Sequence, residues 1–182
     1  MLKSGLVSVT FRKLSTSEVI DLVAEAGLEA IEWGGDVHVP AGDLADATRV
    51  GDATRAAGLA VAAYGSYYRA GHPESGPFEA VLESAAALGA PMIRVWAGRQ
   101  GLAASDGAYW AQVVADLRRI GQMGQGADIK VVLEFHRNTL TETNRSAPAA
   151  RRTNAPTARR RRATSPRRSR LLRRRSALLA QR

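Results

Sequence analysis

Lys130-Val131-Val132-Leu133-Glu134-Phe135-His136 is a short β-branched apolar run that breaks off in a carboxylate and an imidazole. Its side chains have a period of two, so in a strand Val132, Glu134 and His136 share one face while Val131, Leu133 and Phe135 share the other. A buried strand ending in Glu134 and His136 presents a metal-binding or acid/base pair where an α/β barrel opens to solvent. The same two groups at a solvated strand end would be chemically idle, and only the surrounding chain decides between the two readings.

Upstream, the unit repeats. Leu6 to Phe11 alternates as a first strand, and Ser15-Thr16-Ser17-Glu18 supplies capping chemistry for a helix whose Val19, Ile20, Leu22, Val23 and Ala26 suit one buried face. Gly27 stops that helix. Glu29 to Trp33 reads as a second strand ended by Gly34-Gly35, followed by the loop Asp36 to Pro40 and a helix from about Leu44 to Ala57. Leu59 to Tyr64 is the third strand, with an aromatic and polar loop from Gly65 to Pro73 and a helix from about Phe78 to Leu88. Pro91 to Gly98 is the fourth strand, and a helix from about Gly107 to Met123 leads into Lys130 to His136.

Strands that return about every 30 residues through a helix are what parallel crossovers require. Parallel α/β leaves two architectures, an open doubly wound sheet and a (β/α)8 barrel. No Gly-x-Gly-x-x-Gly loop follows the first strand, which weakens the nucleotide-binding version. Polar groups recur instead after successive strands: Glu32 and His38, Tyr67 to His72, Arg94 and Trp96, Glu134 and His136. Strand ends converging on one face are the layout of a barrel active site.

Charge divides the chain in two. Of 182 residues with net charge +9, residues 1–144 hold all 17 acids against 12 Lys and Arg, a net of −5, while residues 145–182 hold 14 Arg, no Lys and no acid. The body therefore has an enzyme-like composition and the remainder is a polycation. Zero cysteines exclude disulfides, thiolate metal sites and a cysteine nucleophile, so any metal would be held by oxygen and imidazole nitrogen. There is no run of about 18 apolar residues and no export-type start, and the expected location is cytoplasmic.

In Ile31-Glu32-Trp33-Gly34-Gly35-Asp36-Val37-His38-Val39-Pro40, Ile93-Arg94-Val95-Trp96-Ala97-Gly98 and Leu133-Glu134-Phe135-His136, the chain resembles the xylose isomerase-like TIM-barrel family of sugar phosphate isomerases and epimerases. The resemblance covers about residues 5–144. It implies a (β/α)8 barrel with a divalent metal, often Mn²⁺, Mg²⁺, Co²⁺ or Zn²⁺, at its C-terminal mouth, and interconversion of a sugar or related hydroxy-carbonyl compound. It also implies that Glu134 is the strand-five glutamate that ligates the metal and, in epimerase-type members, exchanges the substrate proton. A divalent ion polarising hydroxyl and carbonyl, with a carboxylate taking the adjacent proton, lowers the barrier to an enediolate.

Around Glu134, His136 is placed as an orienting or substrate-binding group, and Glu32 and His38 look like mouth residues contacting substrate hydroxyls or a neighbouring loop. Glu32 equally suits an ion pair with a nearby cation. His72, in a Gly-His-Pro loop, suits solvent as well as a ligand. Trp33, Trp96, Tyr67 and Tyr68 fit either an apolar wall against a sugar face or ordinary packing. Arg94 shares a face with Trp96 and suits an anionic substrate group, or an ion pair with Glu32 or Glu134.

The departure from the family lies downstream. The resemblance calls for an aspartate, a histidine and a glutamate from strands six to eight, yet no acid follows Glu142 and no histidine follows His136. A full barrel needs about 250 residues. The expectation is a partial (β/α)8 barrel of about five βα units over residues 1–144, inactive by itself, followed by an irregular Arg-rich tail over residues 145–182. Arginine without lysine, among Ala, Pro, Ser and Thr, is what GC-rich DNA yields in a shifted frame, and the shift would fall near Thr143 to Ala147. Two other readings compete: a metal phosphodiesterase akin to apurinic endonucleases, and non-specific nucleic-acid binding through the tail. Expected partners are a small sugar or sugar phosphate, nucleic acid at the tail, no membrane, and a second copy in a homo-oligomer that could supply the missing strands.

Overall fold

The computed structural model describes residues 2–143 of the 182; the stretch from residue 145, with every expectation placed on it, lies outside them. Five strands alternate with four helices: β1 (Gly5–Val7), α1 (Thr16–Glu25), β2 (Ala30–Gly34), α2 (Leu44–Ala56), β3 (Ala60–Arg69), α3 (Phe78–Leu88), β4 (Met92–Trp96), α4 (Gly107–Gly126) and β5 (Lys130–Leu133). All neighbours are parallel and the spatial order is β1-β2-β3-β4-β5. A doubly wound sheet reverses its strand order at a switch point; an order that follows the sequence throughout is that of a barrel. The fold is a partial (β/α)8 barrel of five strands, and among the described residues β1 and β5 each keep one side unpaired.

Local chemistry sets the helices. At the start of α1, Glu18 N–H donates to Ser15 Oγ at 3.3 Å and Ser15 N–H donates to the Glu18 carboxylate at 2.7 Å, a complete capping box. Asp43 and Asp106 cap α2 and α4 by accepting from the backbone N–H of Asp46 and Tyr109 at 3.0 and 2.7 Å. Gly89 ends α3 in the left-handed conformation at φ 77°. Between α2 and α3 the contact is close because Gly51 lacks a Cβ, which would lie 2.3 Å from the Leu88 carbonyl oxygen.

Alternation along the strands then separates core from mouth. Ile31 and Trp33 of β2 and Ile93 and Val95 of β4 are buried against Val19, Val23, Val50, Phe78, Val81, Leu88, Leu117 and Ile120 of the helices. Trp33 Nε1–H donates to Thr54 Oγ1 of α2 at 3.1 Å, so the indole belongs to the helix layer. The intervening residues Glu32, Arg94 and Val132 point to the other face, inside the curve of the sheet.

Two expected element boundaries move. The alternating stretch Leu6 to Phe11 is a strand only to Val7; Ser8–Phe11 is a 3-10 turn. The buried Ser8 hydroxyl takes the Gly34 N–H at 2.9 Å, which pulls the chain across the end of β2. The expected loop from Gly65 is largely strand, because β3 runs to Arg69 through an irregularity between Gly65 and Arg69. Tyr67 stands there at φ 60°, a left-handed conformation rare outside glycine, and separates the directions of Tyr67 and Tyr68.

Candidate active site

The residues inside the curve meet at the C-terminal strand ends. Glu32 comes from β2 and Arg94 from β4, while Glu134 stands one residue beyond β5, its N–H donating to Val95 O at 3.1 Å. Arg94 Nε–H donates to Glu32 Oε1 at 2.6 Å, and Arg94 Nη1–H donates to Glu134 Oε2. Trp96 Nε1–H donates to the same Glu134 oxygen at 2.5 Å. The Glu32–Arg94 pair passes over β3, and Gly65 makes room for it: a Cβ there would lie 2.6 Å from Arg94 Nη2 and 2.9 Å from Glu32 Oε1.

With side chains 17 and 19% exposed, Arg94 and Glu32 form a shielded pair, which has more energetic consequence than a surface one. Burial works against the Arg94 charge, but its hydrogen bonds and charge interactions with Glu32 and Glu134 outweigh that penalty, and its pKa ends above the ordinary arginine value. Two carboxylates and one permanent cation leave the trio at net −1.

These groups line a cleft of about 460 Å³ together with Val7, Val9, Tyr67 and His136. Trp96 is its hub: the His136 ring lies 4.4 Å from the indole centroid and Tyr67 stands edge-on to it at 5.1 Å. His136 Nδ1 is 2.7 Å from the Arg137 carbonyl oxygen, which can only accept. Nδ1 therefore donates, which leaves Nε2 as the acceptor in the neutral tautomer. His136 Nε2, Glu134 Oε1 and Glu32 Oε2 have no hydrogen-bond partner among the described residues. Three acceptors thus remain for a ligand.

Residues beyond β5 fix the backbone that carries the Glu134 carboxylate. Leu140, fully buried, donates its N–H to Ala97 O at 2.9 Å, and Thr141 Oγ1–H donates to the Glu134 carbonyl at 2.6 Å. Nothing in the sequence pattern marked Thr141 or Gly65 as site residues; a glycine flanked by Tyr64 and Ser66 in a strand was the available sign of close approach.

Of the expected site residues, the structure brings together Glu32, Arg94, Trp96, Glu134 and His136, with Tyr67. Both ion pairs left open for Arg94 form at once. His38 stands apart: it is 5% exposed, its ring nitrogens lie 3.0 Å from Ser8 Oγ and 3.1 Å from Leu14 O, and its edge meets Trp33. That imidazole ties the β1 and β2 ends together, and does not line the cleft. His72 lines a different groove with Gln112, Asp116 and Arg119. Tyr68 also faces that groove; its hydroxyl donates to Asp116 Oδ2 at 2.8 Å, and burial, then the Asp116 carboxylate, pushes its pKa up to about 12. Trp33 and Tyr68 are packing residues here, unlike Trp96 and Tyr67.

The described residues do not make a divalent-metal site. Glu32, Glu134 and His136 share the cleft, but no three Asp, Glu and His side chains of the described residues are placed to hold one ion, and both cleft carboxylates already share the Arg94 guanidinium. The three further ligands that the family resemblance called for have no counterpart among residues 2–143. No helix of the described residues is long and apolar enough to cross a membrane.

Comparison with known proteins agrees with the fold. No curated protein matches the chain in sequence. Among solved structures, the "probable 3-DHS dehydratase AsbF" of Bacillus anthracis superposes with a TM-score of 0.71 at 22% identity, covering 84% of this chain and 59% of that one. A D-psicose 3-epimerase, crystallised in the presence of D-fructose, gives 0.64 at 18% identity, with 86 and 61% covered. A xylose isomerase domain containing protein from Salmonella typhimurium LT2 gives 0.55 at 16%, with 73 and 50% covered. At these identities the likeness is one of fold, and the chain spans less than two thirds of each of these structures. The family described as xylose isomerase-like TIM barrel matches residues 20–155, three quarters of the chain and past residue 144. A five-strand barrel sector with its polar groups gathered at the C-terminal rim, matched by that family over most of its length, belongs to the xylose isomerase-like TIM barrel family.

Proposed function

We propose that this chain supplies the first five strands of a sugar isomerase/epimerase-type active site, in which Glu134 exchanges a proton on the carbon beside a substrate carbonyl. The supporting observation is the state of that carboxylate. Arg94 and Trp96 hold Oε2, while Oε1 has no partner among the described residues. A base whose orientation is fixed through one oxygen keeps the other for the substrate.

The neighbouring groups fit the same chemistry. Removing the proton places negative charge on the carbonyl oxygen, and the Arg94 guanidinium is the cation in the cleft to oppose it. Tyr67 offers apolar ring surface to the C–H side of a sugar, and His136 Nε2 and Glu32 Oε2 can accept from its hydroxyls. Glu134 then returns the proton from its own side, to the neighbouring carbon for isomerisation; epimerisation needs a second acid on the opposite face of the enediolate, a donor expected from the strands after β5. The divalent ion implied by the family needs donors that residues 2–143 do not hold, and none of these steps runs through it.

A second reading is dehydration of a hydroxy-carbonyl compound, which the likeness to a probable dehydratase favours. The first step, proton removal by Glu134, is the same; the enolate would then expel a β-hydroxyl instead of regaining a proton.

The stretch from residue 145 is read as a continuation of the barrel displaced into another frame. DNA downstream of codon 143 is expected to encode, in one of the other two frames, strand-like segments carrying Asp, His and Glu. The protein carrying that continuation, given D-fructose and Mn²⁺ in D₂O, is expected to place deuterium beside the carbonyl, and Glu134→Gln to slow this about 10³-fold. Absence of such segments from both frames, or exchange indifferent to Glu134→Gln, overturns the reading.

A further inference from the structure

Arg69, the last residue of β3, has no carboxylate partner among the described residues; its guanidinium carbon lies instead 4.1 Å from the Trp96 ring centroid. Nη1–H adds a long contact of 3.4 Å to Gly98 O. The backbone brings the pair together. The irregularity at Tyr67, φ 60°, re-aims the end of β3 so that Arg69 pairs in register with Trp96 of β4. Ala70 N–H then donates to Trp96 O at 2.9 Å, and the Ser75 hydroxyl clamps Arg69 by accepting its N–H at 3.1 Å and donating to its carbonyl at 2.9 Å. A left-handed residue, a clamp and a half-buried cation thus converge on one indole. Burial and then the Arg99 charge depress the Arg69 pKa, so the position does not suit the charge for its own sake.

The indole has a single N–H, and it donates to Glu134 Oε2 at 2.5 Å. Arg94 donates to the same oxygen but divides its guanidinium between Glu134 and Glu32, whereas Trp96 serves Glu134 alone. A cation over an aromatic face is attracted by the π density and polarises it, which makes the indole N–H a stronger donor and holds the ring in one orientation. Arg69 is not among the residues lining the cleft, so it reaches a substrate through Trp96 and Glu134. Resting on the isomerase/epimerase reading, in which Glu134 is the base, we propose that Arg69 is a positioning residue: stacked on Trp96, it strengthens and aims the N–H that holds Glu134 Oε2 and so keeps Oε1 turned to the substrate.

The experiment records the indole N–H signals of the 182-residue chain by ¹⁵N NMR, the three tryptophans being assigned by replacing each with Phe. Trp33, which donates to Thr54 in the helix layer, reports on the fold, and Trp96 reports on the bond to Glu134. Arg69→Met keeps apolar cover on the ring and removes the charge. It is expected to shift the Trp96 signal upfield and to speed its exchange with solvent about fivefold, with Trp33 unmoved. Arg69→Lys should restore most of both, which simple shielding of the ring does not require. In a Glu134→Gln background the same Arg69→Met change should move Trp96 much less, because the charged acceptor is gone. If Arg69→Met moves Trp33 as well, Arg69→Gln takes its place as the uncharged variant. A Trp96 signal indifferent to loss of the Arg69 charge, or the same with lysine as with methionine, overturns the positioning role. That outcome leaves Glu134 as the base, which deuterium uptake in Glu134→Gln tests separately.

Discussion

Arg94 connects fold and chemistry at the level of a single side chain. It joins β2 to the residue after β5 by two shielded ion pairs, so its loss leaves two facing carboxylates with no cation between them. Arg94→Met is expected to lower the unfolding free energy by about 2 kcal/mol, below the figure for a fully buried pair because Glu134 keeps some solvent contact. Adding Glu32→Gln should recover part of this by removing one of the opposed charges. Urea denaturation measures both, and an unchanged midpoint for Arg94→Met would show the trio to be energetically idle.

Among the elements, α1 and β3 make the more specific demands. Glu18 is held by the Ser15 backbone N–H first and the Ser15 hydroxyl second, which depresses its pKa from the ordinary value of 4.5. A depressed carboxylate pKa contributes stability above that ordinary value, lost as the pH falls through the folded value. Ser15→Ala, which removes the hydroxyl that accepts from Glu18 N–H and donates to its carboxylate, is expected to lower stability at neutral pH. In thermal melts, the difference from the unsubstituted chain should shrink below pH 4.5 as the capping box loses its charge. For β3, Gly65→Ala should push Arg94 from Glu32 at a cost of about 2 kcal/mol; a wild-type melting temperature would mean that the pair can form elsewhere. Capping box and glycine stops were legible in the sequence because they are local. The strand end beyond Tyr64 was not, since it depends on pairing with Arg94 and Trp96, far away in sequence. The same distance explains the histidines: spacing put His38 and His136 alike after strands, and only packing shows one bonded at both nitrogens and the other beside a cleft.

For the molecule as a whole, sequential parallel strands place the groups after β2, β4 and β5 on one rim, which is why a partial barrel already displays a recognisable site. Sequence periodicity carried that much, together with Glu134, Glu32, Arg94, Trp96 and His136. It did not carry the arrangement in which one guanidinium sits between two carboxylates and one carboxylate oxygen is left over. The segregated charge is the other property at this scale, an acidic barrel sector joined to a stretch whose composition does not resemble it. The most direct measurement is a crystal structure of the 182-residue chain soaked with D-fructose. The sugar is expected in the cleft beside Tyr67, with the carbon beside its carbonyl next to Glu134 Oε1 and hydroxyls on His136 Nε2 and Glu32 Oε2. Density for the sugar only in the groove of Tyr68, His72 and Asp116, with Glu134 untouched, would contradict the assignment.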